Sequence, residues 1–295
     1  MDLFDTPLEI IDIGLNLAHP RFDADRHAMI DRARQAGVVG AVLTGTSVPG
    51  SAEVLRLAEG LRPAEGLPGW ARATVGVHPH EASTLNDAAL AELAALADSP
   101  LCAAIGECGL DFERDLSPRP DQQRAFEAQL DLAARLGLPV FLHQRGAMPR
   151  FAEILAEWRP RLVGAVVHCF TDGPEVAREL LDLDCELGIT GWVCDERRAG
   201  PLRDSLRVVP MQRLMIETDA PYLPPRDLRL PSPVPGIGLS RLKSRNEPAL
   251  LPWILRAVAD AGGWQAWDLA ESSTQLARER FGLEPQASPK SRSKA

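Results

Sequence analysis

Short apolar segments alternate with longer amphipathic segments along most of the chain. Each apolar segment contains β-branched residues and lies near glycine or proline, a pattern that favours strands over helices. Eight such segments follow one another: LEIIDIG (8–14), VVGAVLTG (38–45), WARATVGVHPH (70–80), LCAAIGECG (101–109), PVFLHQR (139–145), VGAVVHCF (163–170), CELGITGWV (185–193) and RLMIETDAP (213–221). The pattern therefore predicts eight strands.

The segments between the strands have helical periodicity. In QQRAFEAQLDLAARLG, Phe126, Leu130 and Ala133 fall on one helical face, and Gly137 is placed to end the helix. DADRHAMIDRARQAG and NDAALAELAALADSP follow the same pattern. Eight strand–helix units predict an α/β fold of the (β/α)8 TIM barrel type. A doubly wound open sheet is the alternative, because the pattern does not establish closure.

Two stretches depart from this alternation. Residues 221–248 are rich in Pro, Arg and Ser without periodicity, and so long a loop in a compact domain is usually functional or disordered. The segment PQASPKSRSKA is polar and small, which predicts a disordered tail over 285–295. We therefore predict a single barrel domain over residues 1–284.

Composition narrows the possible partners. Hydrophobic residues make up 45% of the chain and the formal net charge is −9, so a polyanion would have to be held by a local basic patch or a metal. Five cysteines without a CxxC pair suit reduced thiols. The acidic N-terminal segment is unlike a signal peptide, and no apolar run is long enough for a membrane span. We expect a cytoplasmic protein without a membrane partner.

Histidines and carboxylates recur where the predicted strands end. They are His78, His80, Glu107, His143, His168 and Asp219. All strand C-termini of a barrel share one rim, so these side chains should converge there. Imidazole nitrogen and carboxylate oxygen suit Zn, Mn, Fe or Mg to differing degrees. One such histidine is more often structural than a ligand, but six such residues on one rim predict a metal site.

Basic and aromatic residues follow the strand ends. The basic residues are Arg197 and Arg198 after the seventh strand, and Arg241, Lys243 and Arg245 after the eighth. A charge run is commonly a solvated face, but positive charge over the site of an acidic protein indicates a phosphate-bearing substrate. The aromatic residues could stack on bases or simply pack in the core; they are Phe112, Phe170, Trp192 and Tyr222.

Several motifs together resemble one known family. GVHPH, AIGECGLDF, HCFTDG, GITGWVCDERR and IETDAPYL closely resemble motifs of the TatD-type metal-dependent deoxyribonucleases, and the resemblance covers nearly the whole chain. It implies a barrel that hydrolyses DNA with a divalent metal. The most similar branch implies a cytoplasmic 3′–5′ exonuclease of single strands that uses Mg²⁺. By this match the metal ligands are Glu107, His143, His168 and Asp219, and His78 faces the phosphate.

Two motifs depart from that family's pattern. Many members begin with Asp-x-His-x-His, where this chain reads DIGLN, with Gly14 and Asn16 at the histidine positions. Glycine offers no ligand and asparagine only a neutral oxygen, so we expect one tight metal and one weak metal. Asn16 and His80 are candidates for a weak metal or substrate contact. HQRGA also differs from the usual HCRDA, with Gln144 and Gly146 at the altered positions.

The combined interpretation is a metal-dependent phosphodiesterase that trims single-stranded DNA or RNA in DNA repair or turnover. A bound Mg²⁺, with Mn²⁺ or Zn²⁺ as alternatives, would activate water and stabilise charge on the phosphoryl oxygens. Asp219 is the candidate general base, and His78 would hold a phosphoryl oxygen or assist the leaving group. The predicted phosphate contacts are Arg197, Arg198 and Arg245.

Two alternatives stay open. The same metal chemistry could act on another ester or amide, because a fold does not fix its substrate. A non-catalytic barrel that binds a metal or a partner is the other alternative, although an intact ligand set with a candidate base favours an enzyme. We expect a monomer.

Overall fold

Eight parallel strands form one sheet in which each strand pairs with the next in chain order. The computed structural model describes residues 8–62 and 69–284. The strands are β1 Ile10–Leu15, β2 Val38–Leu43, β3 Ala71–Val75, β4 Cys102–Asp111, β5 Val140–Arg145, β6 Ala165–Val167, β7 Glu186–Ile189 and β8 Leu214–Ile216. All eight predicted strands are confirmed.

Helices connect the strands. Those in the described ranges are α1 Arg26–Gln35, α2 Val48–Gly60, α3 Asp87–Ala97, α4 Arg119–Leu136, α5 Met148–Trp158, α6 Pro174–Asp182, α7 Gly200–Ser205, α8 Leu239–Ser244, α9 Leu251–Gly262 and α10 Ala266–Phe281. The end of α4 is as predicted, because Gly137 takes a left-handed φ of 65° and its N–H bonds to the Ala133 carbonyl. Among the described helices, none combines the length and apolarity needed to cross a bilayer.

The last strand returns to the first and nearly closes the barrel. The backbone N–H of Asn16 donates to the Ala220 carbonyl at 3.0 Å, and that of Asp219 donates to the Gly14 carbonyl at 2.8 Å. An open sheet would leave these edges unpaired. The barrel is therefore confirmed over the doubly wound alternative.

Asp12 strengthens this seam from inside the protein. Its Oδ1 accepts the backbone N–H of Thr218 at 2.9 Å, and its Oδ2 accepts the Thr218 hydroxyl at 2.5 Å. Burial raises the pKa of Asp12 to about 7, although the hydrogen bonds from Thr218 oppose that shift. The side chain ties β1 to the segment after β8, which carries Asp219.

Strand side chains alternate between two apolar layers. One layer includes Ile11, Ile13, Phe141 and Met215, and Phe281 of α10 packs against it. The neighbouring strand positions belong to a larger cluster shared with the surrounding helices. The period-two alternation of a strand produces this division and leaves the strand ends to carry polar groups.

Residues 221–248 form more structure than the sequence indicates. They include α8, and they share an apolar cluster with the two residues that follow them. Its members are Leu228, Val234, Leu242, Ala249 and Leu250. The stretch is thus packed, contrary to the disordered reading of its sequence. The predicted tail over 285–295 lies outside the described residues.

An ion-pair cluster centred on Asp25 joins α1 to this stretch. The Asp25 carboxylate accepts hydrogen bonds from Arg245 at 2.6 and 3.0 Å and from Arg32 at 3.0 Å. Arg241 also contacts Asp25, and the buried Glu247 pairs with Arg32 at 2.8 Å. The hydrogen bonds from Arg245 hold the pKa of Asp25 well below its usual range. Loss of one member would leave partly buried charges without a partner.

We predict that Asp25→Asn lowers the free energy of unfolding by about 3 kcal/mol at neutral pH, the low end of the scale for breaking a buried ion pair, because Asp25 is only partly buried. Asp23→Asn is the control, because Asp23 forms an exposed pair with Arg26, worth at most about 1 kcal/mol. The folded-state pKa of Asp25 is depressed, so its contribution is present above the unfolded value of about 4 and is lost at lower pH. Urea unfolding across this range measures both variants; equal losses would contradict the prediction.

Candidate metal centre and active-site pocket

The C-terminal ends of the strands open into a pocket of about 1110 Å³. Its lining includes all the side chains predicted for the metal site, which are His78, His80, Glu107, His143, His168 and Asp219. Asn16 and Arg198 also line it. The structure therefore brings these residues together on one rim, as the strand pattern indicated.

The side chains reach the pocket from different positions on their strands. Glu107 lies inside β4 and His143 inside β5, whereas His168 directly follows β6. His78 and Asp219 lie in the loops beyond β3 and β8. Two of the predicted ligands are thus held by a strand itself, which fixes them more firmly than a loop would.

Gly106 sets the position of Glu107. Its φ is +132°, and a Cβ at this position would lie 2.0 Å from the carbonyl oxygen of Phe141 on β5. A side chain here would push β4 away from β5. Glycine before Glu107 therefore allows the close strand approach that places the carboxylate in the pocket.

Three imidazoles meet at one carboxylate oxygen. Oε1 of Glu107 lies 2.9 Å from Nδ1 of His143 and 2.7 Å from Nε2 of His168. The same oxygen lies 3.2 Å from Nε2 of His78. Burial alone would raise the pKa of Glu107, but the imidazoles, His168 foremost, hold it well below its usual range. The carboxylate is therefore ionised and surrounded by nitrogen atoms.

This donor set fits a divalent cation. Ligand atoms of His78, Glu107 and His143 all lie within 4.8 Å of one another. Nε2 of His78 is also 3.3 Å from Nδ1 of His143, so two nitrogens aimed at one carboxylate face each other. If both nitrogens carried a proton, their N–H groups would repel each other. A cation would instead accept the lone pairs of both nitrogens and pair with the carboxylate. His78, predicted to face the phosphate, is one of three residues whose donor atoms could hold a metal ion.

Asp219 faces the pocket in a different environment. Its carboxylate accepts a hydrogen bond from Nδ2 of Asn16 at 2.8 Å. Burial raises the pKa of Asp219 to about 7, although the His168 charge and the Asn16 hydrogen bond oppose that shift. A carboxyl that titrates near neutrality can take up and return a proton, as a general base must. Asn16 is therefore the partner of the candidate base.

Asp111 is a buried carboxylate that the sequence did not single out. Its Oδ2 lies 2.7 Å from Nε2 of His80 and 3.5 Å from Nε2 of His143. Its Oδ1 accepts the backbone N–H groups of Glu113 and Arg114. The available signal was its place in AIGECGLDF, but an Asp at a strand end is equally typical of a turn or helix cap.

Glu217 is a second such carboxylate. It directly follows β8 and is fully buried. Its Oε1 accepts the backbone N–H of Cys169 at 2.5 Å, and its Oε2 lies 3.5 Å from Nδ1 of His168. It belongs to the motif IETDAPYL, in which the sequence pattern indicated Asp219 as the candidate site residue.

Two glutamines of α4 hold the backbone next to these groups. Gln129 accepts the N–H of Val77 at 2.7 Å and donates to its carbonyl at 3.0 Å. Gln122 accepts the N–H of Asp111 at 2.9 Å and donates to its carbonyl at 3.2 Å. Buried backbone groups need partners, and here the helix supplies them. The chain is thereby fixed immediately before His78 and at Asp111.

Of the three arginines predicted to contact phosphate, one lines the pocket and two do not. Arg198 lines the pocket, with its guanidinium 4.2 Å from the Trp192 ring centroid and its Nε 2.9 Å from Asp195. The side chain of Arg197 is 73% exposed and lies outside the lining. Arg245 is buried in the ion-pair cluster of α1, so its guanidinium does not reach the pocket. Arg241 and Arg245, two of the three basic residues after β8, pair with Asp25 at the start of α1 instead.

The predicted aromatic contacts are divided as well. Trp192 and Tyr222 line the pocket, where Tyr222 packs edge to face on His19 with ring centroids 5.4 Å apart. Phe170 is buried, and Phe112 is not part of the lining. His19 is itself part of the pocket lining.

Sequence comparisons give the family. The family described as TatD related DNase matches residues 11–282. The chain is 49% identical over 259 residues to the 3′-5′ ssDNA/RNA exonuclease TatD of Musicola paradisiaca, which covers 88% of this chain and 91% of that protein. It is 50% identical over 270 residues to the protein of the same name from Cronobacter sakazakii, covering 91% of this chain and 97% of that protein.

Solved structures agree. YjjV, a TatD homolog from Escherichia coli, gives a TM-score of 0.80 at 28% identity and covers 93% of this chain and 98% of its own. A TatD family hydrolase from Entamoeba histolytica gives a TM-score of 0.80 at 22% identity, covering 95% and 100%, which supports the fold alone. The chain therefore belongs to the TatD related DNase family, which confirms the resemblance of its motifs and makes it a TatD-type nuclease.

Proposed function

We propose that the protein is a metal-dependent 3′–5′ exonuclease that hydrolyses phosphodiester bonds in single-stranded DNA or RNA. The observation that carries this proposal is the convergence of three imidazoles on Glu107, beside Asp219, at the open end of a barrel. Relatives about half identical to this chain are named for this activity. Family membership supports the same reaction here.

The cation would be held by Glu107 and by His78, His143 and His168, whose nitrogens lie around one oxygen of that carboxylate, with Asp219 nearby. We propose Mg²⁺, with Mn²⁺ as a substitute; the mixed nitrogen and oxygen donors also suit Zn²⁺. When bound, a divalent cation lowers the pKa of water and offsets charge on the phosphoryl oxygens.

The protein's own groups move the proton and hold the substrate. Asp219 takes the proton of the attacking water, and the hydrogen bond from Asn16 keeps its carboxylate oriented. His80, whose side chain is 31% exposed and held by Asp111, meets the substrate at the pocket mouth. We assign His78 to the cation, so the phosphate contact predicted for it passes to the arginines of the lining.

The pocket wall suits a flexible strand end. Arg114, Arg145 and Arg198 are lining arginines that can meet phosphates. Trp192 and Tyr222 offer flat faces on which unpaired bases can stack. A duplex hides those faces, so the pocket favours single strands. Arginines at the rim also favour a phosphodiester over a neutral ester or amide.

The predictions of a monomer and of a cytoplasmic location stay predictions. All five cysteines are free in the structure, which suits a reducing compartment.

We predict that Glu107→Gln lowers kcat by about two orders of magnitude or more, because charge stabilisation is lost while the side-chain shape is kept. Chelation should likewise abolish wild-type activity, and Mg²⁺ or Mn²⁺ should restore it. Glu186→Gln is the control, since Glu186 is a buried carboxylate on β7 paired with Arg280, outside the pocket lining. It should lose stability and keep its kcat. Full turnover by metal-free protein would rule out the metal centre.

We predict one tight and one much weaker site for Mn²⁺, or a single site, because position 14 offers no ligand and Asn16, whose Nδ2 is bonded to Asp219, offers only a neutral amide oxygen. Asn16→Ala should remove the weak site and leave the tight site unchanged. Isothermal titration of both proteins provides the measurement. Two equally tight sites in the wild type would contradict this expectation.

We predict that a linear single strand is degraded much faster than a closed circle of the same sequence. Neutralising Arg198, the predicted phosphate contact that lines the pocket, should raise KM more than it lowers kcat, because phosphate contacts bind ground state and transition state alike. Each lost contact should lower the salt slope of binding by about 0.7. Arg207→Gln is the charge-matched control, since its 70% exposed side chain pairs with Asp204. Equal cutting of the circle would mean an endonuclease.

A further inference from the structure

The carboxylate of Glu217 contacts both the side chain of a proposed ligand and the backbone that follows it. Oε1 accepts the N–H of Cys169 at 2.5 Å, and Oε2 lies 3.5 Å from Nδ1 of His168. Within the described ranges neither Oε2 nor Nδ1 has a conventional hydrogen-bond partner. Each of these two atoms therefore has the other as its nearest available polar partner.

This contact selects one end of the His168 ring. A carboxylate facing Nδ1 favours a proton on that nitrogen, so that when a cation is bound the Nε2 lone pair can face it. Nε2 is the atom that lies 2.7 Å from Oε1 of Glu107. Metal-bound histidines commonly donate their second ring N–H to a carboxylate, which fixes the tautomer and the ring orientation.

Two glycines make the space that the carboxylate occupies. A Cβ at Gly14 on β1 would lie 2.1 Å from Oε2, and a Cβ at Gly188 on β7 would lie 2.8 Å from Oε1. Glu217 is fully buried, so its carboxylate cannot move aside without losing Cys169 or His168. Gly14 has no side chain that could bind a metal, but its lack of a Cβ leaves room for the Glu217 carboxylate, which contacts the proposed ligand His168.

A parallel arrangement exists at a second ligand. Nε2 of His143 lies 3.5 Å from Oδ2 of the buried Asp111, while Nδ1 of His143 faces Glu107. Asp111 has further partners in His80 and nearby backbone. Among the described residues, the hydrogen-bond and ion-pair contacts of Glu217 are with Cys169 and His168, so its carboxylate acts on His168 and on the backbone after it.

We propose that Glu217 is a positioning residue that holds His168 with Nε2 presented to the cation, in a space that Gly14 and Gly188 keep open. This inference rests on the proposed metal centre.

Glu217→Gln tests the inference with little change in shape. The glutamine oxygen can accept from Cys169, but its amide then faces Nδ1 of His168 and forces the ring proton onto Nε2. We expect the affinity for Mn²⁺, measured by titration calorimetry, to fall about 10- to 100-fold. The melting temperature of the metal-free protein should change little. In the Mg²⁺-loaded protein, ¹⁵N spectra should show the proton on Nδ1 of His168 in the wild type and altered nitrogen shifts in the variant.

Gly14→Ala should weaken Mn²⁺ binding similarly, because the added methyl displaces the carboxylate. Gly40→Ala on β2 is the matched control, since its Cβ would meet neighbours only at 3.5 Å, an ordinary contact distance. In a Glu217→Ala background, Gly14→Ala should cost nothing further; if Glu217→Ala fails to fold, Glu217→Gln decides.

The outcomes separate the two proposals. A wild type that binds no Mn²⁺ overturns the metal centre and this inference with it. A wild type that binds Mn²⁺, together with a Glu217→Gln variant that binds equally tightly with unchanged His168 nitrogen shifts, overturns the role of Glu217 alone.

Discussion

The meeting of three imidazole nitrogens at one oxygen of Glu107 is the constraint on which the pocket depends. Nitrogens placed so close together are tolerable only around an ionised carboxylate, and they are most stable around a shared cation. The fold meets this requirement through β4, which carries Glu107 into the barrel rim beside β5. The other polar groups of the site are arranged around that point, either on the ligands or across the pocket from them.

The barrel and its ligand set were predictable because both follow from local rules. Strand period and flanking glycines located the strands, and the shared rim of a barrel brought Glu107, His143 and His168 together. Contacts between distant segments were not predictable in this way. Arg245 follows β8 in sequence, but its guanidinium pairs with Asp25, which immediately precedes α1, and not with groups of the pocket.

Asp111 and Glu217 show a second limit of sequence reasoning. Both lie inside recognised motifs, yet a carboxylate at a strand end has several ordinary uses, and only the distances to His143 and His168 distinguish them. The same holds for Gly14: the sequence shows a missing ligand, whereas the structure shows space filled by a neighbouring carboxylate. The role of a residue at this rim depends on which side chain from another strand packs against it.

Gln122 and Gln129 both belong to α4, and each grips the backbone at one side of the pocket. Both sets of hydrogen bonds therefore depend on the position of a single helix. A displacement of α4 would therefore act on the loop before His78 and on the end of β4 together. Loosening of the helix would release both together. The geometry of the pocket thus depends on α4, a helix in the outer layer of the barrel that contributes no side chain to the chemistry.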